Sequence, residues 1–134
     1  MKSAARHDRV RQQHSDELAE DYVEAIADLL EKAGQARVID LQGIFGVSHV
    51  SVIRALKRIE DRELIHKTVE GSWRLTETGE AMAKASSERH ELVLNFLQAL
   101  GVSDLQAQVD AEGMEHHLSS ETLSAMRRYL DQNQ

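Results

Sequence analysis

The run Ser48-His49-Val50-Ser51-Val52-Ile53-Arg54-Ala55-Leu56-Lys57-Arg58-Ile59-Glu60-Asp61-Arg62, followed at once by Leu64-Ile65-His66-Lys67-Thr68-Val69 and Ser72-Trp73-Arg74-Leu75, decides the fold. Val52, Ala55, Leu56 and Ile59 recur at helical spacing, so the first run reads as a helix with an apolar inner face. Upstream, about Ile39 to Phe45 reads as a shorter helix ended by Gly46, and two helices joined by a tight glycine turn suggest a helix-turn-helix. Downstream, the two short strand-like runs are separated by Glu70-Gly71, a hairpin signal. Helix, glycine turn, basic helix and hairpin in that order predict a winged helix-turn-helix over residues 15–76.

Working outward, Ser15 is placed to cap a helix whose apolar positions Leu18, Tyr22, Ala25, Ile26, Leu29 and Ala33 lead to Gly34. Residues 1–14 are polar and unpatterned and read as a mobile basic arm, with simple disorder favoured over a phosphate-brushing role; Lys2, Arg6, Arg9 and Arg11 against Asp8 give it +3 (4 − 1). On the other side, Thr76 caps a long helix to about Leu100, with Gly101 closing it. Ser103 with Gln106 reads as a capping box, and Ser119 with Glu121 opens a last helix to about Asp131. The expected fold is mainly α: a winged helix-turn-helix with a small β-hairpin wing, then an α-helical domain over 77–134.

A chain of 134 residues suffices for one ordinary domain or two very small ones sharing a core. Aromatics at 4% and the absence of Pro favour helices over a sandwich or barrel. Zero Cys excludes a disulfide scaffold and thiolate metal sites. With no leader and no 18-residue apolar run, the expectation is a soluble cytoplasmic protein without a membrane partner. A net charge of −7 argues against diffuse nucleic-acid binding, yet Arg54, Lys57, Arg58 and Arg62 against Glu60 and Asp61 leave the second helix at +2 (4 − 2). Ser48, His49, Ser51 and Arg54 at its start are placed to meet base edges of double-stranded DNA; Lys57, Arg58 and the wing's His66, Lys67 and Arg74 are placed to meet phosphates.

A second concentration of chemistry is Asp110-Ala111-Glu112-Gly113-Met114-Glu115-His116-His117, three carboxylates and two imidazoles in eight residues. On a helix Glu112, Glu115 and His116 share one face, where like charges repel unless a divalent cation gathers them. Oxygen donors with a minority of imidazole suit manganese or ferrous iron better than structural zinc. The same octet also reads as a solvated acidic helix end. Asp21 and Glu24 stand three apart, but Glu17, Glu20, Asp28 and Glu31 on the same helix make a wet acidic face the favoured reading on spacing alone. His90, near Leu92, Val93 and Phe96, reads by itself as a part-buried core residue, and His117, turned about 100° from His116, falls outside the ligand set.

Taken together, Glu20-Asp21-Tyr22-Val23-Glu24, Ala36-Arg37-Val38, Leu75-Thr76-x-x-Gly79, Arg89-His90-Glu91-Leu92, Phe96-Leu97, Leu100-Gly101-Val102 and Glu112-Gly113-x-Glu115-His116-His117-Leu118-Ser119 resemble the diphtheria-toxin-repressor family of metal-dependent winged-helix regulators over roughly residues 16–131. Within it the chain looks most like the manganese-responding branch. The resemblance implies metal ligands at Asp21, Glu24, His90, Glu112, Glu115 and His116, holding two Mn2+ per subunit, with Fe2+ as the alternative ion. It further implies a homodimer on a near-palindromic operator, repressing metal-uptake genes, with no organic substrate. The iron branch typically has Met where this chain has Asp21 and Cys where it has Glu112, and many of its members carry a small C-terminal barrel for which a chain ending at Gln134 leaves no room. His49 departs from the Pro often found at the first turn of the reading helix, which puts the operator sequence in doubt.

A dimer is also expected from the need to cover Val93, Phe96, Leu100, Leu105, Leu123 and Met126. Two rivals set against this reading are a winged-helix regulator of a small organic ligand, with the acidic cluster serving solubility, and a two-metal enzyme. The di-iron enzyme pattern needs paired Glu-x-x-His turns, and here the spacing occurs at Glu63 to His66, on a helix-to-strand boundary; no activated nucleophile accompanies it. The expectation is therefore not an enzyme.

Overall fold

The chain makes its first left-handed turn at Gly34 and its second at Gly46, and between and beyond them the helices fall where the caps allow. The computed structural model describes residues 2–133. In chain order the elements are α1 (Lys2–Ala33), α2 (Val38–Phe45), α3 (His49–Asp61), β1 (Ile65–Lys67), β2 (Trp73–Leu75), α4 (Glu77–Ala99), α5 (Asp104–Met114), a 3₁₀ turn at Glu115–His117, and α6 (Ser120–Gln132). They form two compact units, Met1–Lys84 and Ala85–Gln134.

In the first unit, Gly46 takes φ 63° and donates its N–H to the Gln42 carbonyl at 2.8 Å, ending α2. Ser48 then caps α3, its Oγ accepting the Ser51 N–H at 3.1 Å. Val52, Ala55, Leu56 and Ile59 of α3 are buried together with Tyr22, Val23 and Ile26 of α1 and Leu41 of α2. Tyr22 stacks on Phe45 with ring centroids 4.4 Å apart. The antiparallel wing pairs Ile65 with Leu75, His66 with Arg74 and Lys67 with Trp73. Its second strand is tied to the segment before α2: Trp73 donates its N–H to the Ala36 carbonyl at 2.8 Å, and Ser72 Oγ accepts the Ala36 N–H at 2.9 Å. Both strands are shorter than the sequence suggests because Thr68 turns its backbone into the loop, its N–H going to Ser72 O at 2.8 Å and its carbonyl accepting from Gly71 at 3.1 Å.

Thr76 locks the wing to α4. Its Oγ1 donates to the Glu63 carbonyl at 2.6 Å and accepts the Gly79 N–H at 3.0 Å, while its own N–H reaches Leu64 O at 3.0 Å. Gly79 lies against the same junction, where a Cβ would stand 2.0 Å from the Leu64 carbonyl oxygen.

Three expectations change. The first helix begins at Lys2 and not at Ser15, so the basic arm is helical: nothing from 2 to 33 is Gly or Pro, and a helix nucleated by its packed half propagates at one hydrogen bond per residue. The division falls after Lys84 and not after Thr76, because the first turns of α4 pack on the α3–wing junction. Helix α5 stops at Met114, so the octet straddles a helix and a 3₁₀ turn. In addition, Ser103 Oγ accepts the Gln106 N–H at 3.4 Å, but the Gln106 side chain turns to Asp110 at 2.8 Å instead of completing a capping box.

In the second unit, Leu92, Val93 and Leu97 of α4 pack on Ala107 and Ala111 of α5 and Met126 of α6. Phe96 meets Tyr129 edge-on at 5.5 Å. Of the apolar residues expected to need cover, Val93 and Met126 are buried and Phe96 and Leu123 half-buried, whereas Leu100 is 55% and Leu105 79% exposed. Among the described residues no single helix is long and apolar enough to cross a membrane.

Candidate metal centre and nucleic-acid face

Within the second unit, α4 supplies His90 and the α5–3₁₀ segment supplies Glu112 and Glu115. Each offers one donor atom, and these atoms lie within 4.8 Å of one another. His90 Nδ1 stands 2.6 Å from Glu115 Oε2 and 3.7 Å from Glu112 Oε2. Glu115 is 1% exposed, an unusual place for a carboxylate unless charge or protons meet it. His116 approaches its other oxygen, Nε2 lying 3.5 Å from Oε1, so the buried carboxylate sits between two imidazoles. The tighter 3₁₀ winding after Met114 carries His116 round to that oxygen. Glu112 is largely exposed, and His117 is exposed.

Burial pulls the His90 pKa down, but the hydrogen bond and charge of Glu115, the Gln108 hydrogen bond and the charge of Glu112 outweigh it and hold the imidazole above its usual range. Gln108 is the residue the sequence reading missed: its Oε1 accepts from the far ring nitrogen, Nε2, at 3.4 Å. That contact orients the ring so that Nδ1 faces the two carboxylates, where the protonated imidazole donates to Glu115 Oε2. The signal was spacing, since Gln108, Glu112 and Glu115 follow i, i+4, i+7 on α5 and its continuation. A donor set of one imidazole and two carboxylates, one of them buried, fits a hard or borderline divalent cation.

Asp21 and Glu24 lie in the first unit, a turn apart on α1 and both half-buried. The structure thus brings His90, Glu112 and Glu115 together, sets His116 against Glu115, and keeps Asp21 with Glu24.

On α3, Ser48, His49, Ser51, Arg54, Lys57 and Arg58 are all exposed, as are His66, Lys67 and Arg74 on the wing. Ser48 Oγ also lies 3.1 Å from Ser51 Oγ, so these two hydroxyls hold the helix start as well as facing solvent. Antiparallel register sets His66 beside Arg74, one exposed cationic step next to Lys67.

The chain matches the iron-dependent repressor metal binding and dimerisation domain over residues 76–134. It is 46% identical over 128 residues to the transcriptional regulator MntR of Escherichia coli O6:H1, covering 93% of this chain and 81% of that protein. With the HTH-type transcriptional regulator MntR of Bacillus subtilis (strain 168) it shares 39% identity over 101 residues, 75% of this chain and 70% of that one. Among solved structures, a manganese-dependent transcriptional repressor in complex with manganese aligns with a TM-score of 0.75 and 25% identity over 84% of this chain and 52% of that one. The chain spans about half the length of this solved repressor and of the manganese regulator SloR, which it also matches. Identity of this extent, carried across both units, means that the chain belongs to the diphtheria-toxin-repressor family, in its MntR branch, as a regulator of transcription and not an enzyme.

Proposed function

We propose that the protein is a manganese-responsive, DNA-binding repressor of metal-uptake genes that works in the cytoplasm as a homodimer. The observation that carries the metal reading is the convergence of His90, Glu112 and the buried Glu115. The full ligand set we propose draws Asp21 and Glu24 from the first unit and His90, Glu112, Glu115 and His116 from the second, for two Mn2+ per subunit. The relatives named for manganese support this ion, and ferrous iron is the competitor that an oxygen-rich set also accepts.

The ions supply +4 to a chain of −7, converting repulsion among four carboxylates into attraction. On this proposal metal binding selects the homodimer state that presents its two α3 helices at one operator spacing. Ser48, His49, Ser51 and Arg54 then read base edges, and Lys57, Arg58 and Lys67 take phosphates, on a near-palindromic operator. A small organic effector finds no support in the relatives.

The test is fluorescence anisotropy of the protein on a duplex selected from a randomised pool, in manganese and in chelator. Tight binding in manganese alone is expected, with Asp21→Ala and Glu115→Ala each weakening it by at least about tenfold through lost metal affinity. Equal binding in manganese and chelator overturns the reading.

A further inference from the structure

The first turns of α1 are the part of the molecule that neither core explains. Residues 4–11 are exposed, and the apolar cluster of the first unit begins only at Leu18 and Ala19. Within this extension Arg11 pairs with Asp8, whereas Arg6 and Arg9 have no ion-pair partner among the described residues. Residues 1–14 carry +3, so the remaining 120 residues carry −10 (−7 − 3). Cationic charge is therefore concentrated here against the trend of the chain.

Its direction follows from one contact. Asp16 of α1 accepts from the Arg62 guanidinium at 3.3 Å, and Arg62 is the C-terminal cap of α3. Arg9 precedes Asp16 by seven residues, two turns along the same stripe, and Arg6 lies a turn further out. At the helical rise these residues stand about 10 and 15 Å beyond Asp16. On α3, Arg58 precedes Arg62 by one turn on the same face, and Arg58 is exposed. The cationic edge thus runs from Arg58 through the Arg62–Asp16 link onto Arg9 and Arg6, leaving the reading helix at its C-terminal end.

We propose that the helical extension is a phosphate-contacting arm, with Arg6 and Arg9 engaging the backbone of the DNA that flanks the sequence read by α3. This rests on the DNA-binding reading above. Charge complementarity selects the occupant: a polyanion outside the major-groove contact matches an arginine pair held on a rigid rod, and phosphate contacts of this kind add affinity without sequence information.

The experiment uses the full-length, manganese-loaded protein and the pool-selected duplex in two lengths, about 40 base pairs and a core trimmed to about two helical turns. Anisotropy titrations across a salt series compare wild type with Arg6→Gln/Arg9→Gln, which keeps the helix and removes two charges. On the long duplex the variant is expected to lose about 1.8 from the slope of log Kobs against log salt per protomer, at roughly 0.9 per phosphate contact. On the trimmed core the two proteins are expected to converge. Equal slopes on the long duplex overturn the arm and leave the metal-dependent reading standing. A changed sedimentation coefficient with equal slopes overturns it in favour of contact with the acidic surface of a second copy. Metal-independent binding by wild type, with the slope difference retained, supports the arm and removes the manganese reading instead.

Discussion

At the scale of the residue, the protein turns on one buried carboxylate. Glu115 offers Oε2 to His90 and Oε1 to His116, and His90 in turn is held from behind by Gln108. In the ligand set we propose, a proton on His90 and the metal ion compete for the same Nδ1 lone pair, because a ligating imidazole must be neutral. The His90 pKa is raised in the folded protein from its ordinary 6.5, burial being outweighed by Glu115, Gln108 and Glu112. Its contribution to the stability of the metal-free protein is therefore complete below 6.5 and disappears as pH rises through the raised folded value. The loaded protein is expected to have the opposite slope in that window, since acid would protonate the proposed ligand. Thermal melts of both forms across the window, read as wild type minus His90→Gln, are expected to give differences that fall with rising pH in the metal-free protein and rise with it in the loaded one. Differences that change with pH in the same direction in both forms would mean that His90 is not a ligand.

At the scale of the element, caps and junctions set where each segment stops, and one junction is testable. Thr76 holds the Glu63 carbonyl while Gly79 lies so close to Leu64 O that a Cβ would sit at 2.0 Å. The obstructing atom is backbone, so Gly79→Ala must push α4 away from the wing, and a loss of about 3 kcal/mol is expected in chemical denaturation. The neighbouring Glu63, at φ 60°, supplies the control: Glu63→Gly relieves a left-handed L-residue and is expected to change stability by less than about 1 kcal/mol, upward. A tolerated Gly79→Ala would show the α4–wing contact to be slack. Much of this was readable in the chain, because Gly46, Ser48, Thr76, Ser103 and Ser119 announce termini by local chemistry that needs no partner. The helical arm was not, since helix propagation from a packed half leaves no apolar pattern in residues 2–14. Nor was the end of α5, where Glu115 is drawn to His90 across 25 residues. For the same reason His90 read as an ordinary core imidazole: its meaning lies in residues brought to it by folding.

At the scale of the whole molecule, an apolar stripe of the second unit stays outside its core. Leu105 and Val109, four residues apart on α5, are 79% and 59% exposed, and Leu100 at the end of α4 is 55% exposed. Two large aliphatic side chains one helical turn apart in water cost the chain solubility unless something covers them. The domain matched over residues 76–134 is a dimerisation domain, and a second copy presenting the same stripe is self-complementary about a two-fold axis. Because these side chains contribute little to the monomer's own core, Leu105→Asp/Val109→Asp separates assembly from folding: the melting transition should move little, while each protomer gains two carboxylates where the interface would close. Sedimentation velocity in manganese is expected to shift from dimer to monomer. Manganese retained after desalting should match wild type, since His90, Glu112 and Glu115 lie within one protomer. DNA binding should then fall steeply, as two half-sites are no longer engaged by one particle. A variant that remains dimeric places the interface on another face; one that is monomeric yet binds the full duplex like wild type removes the dimer from the mechanism.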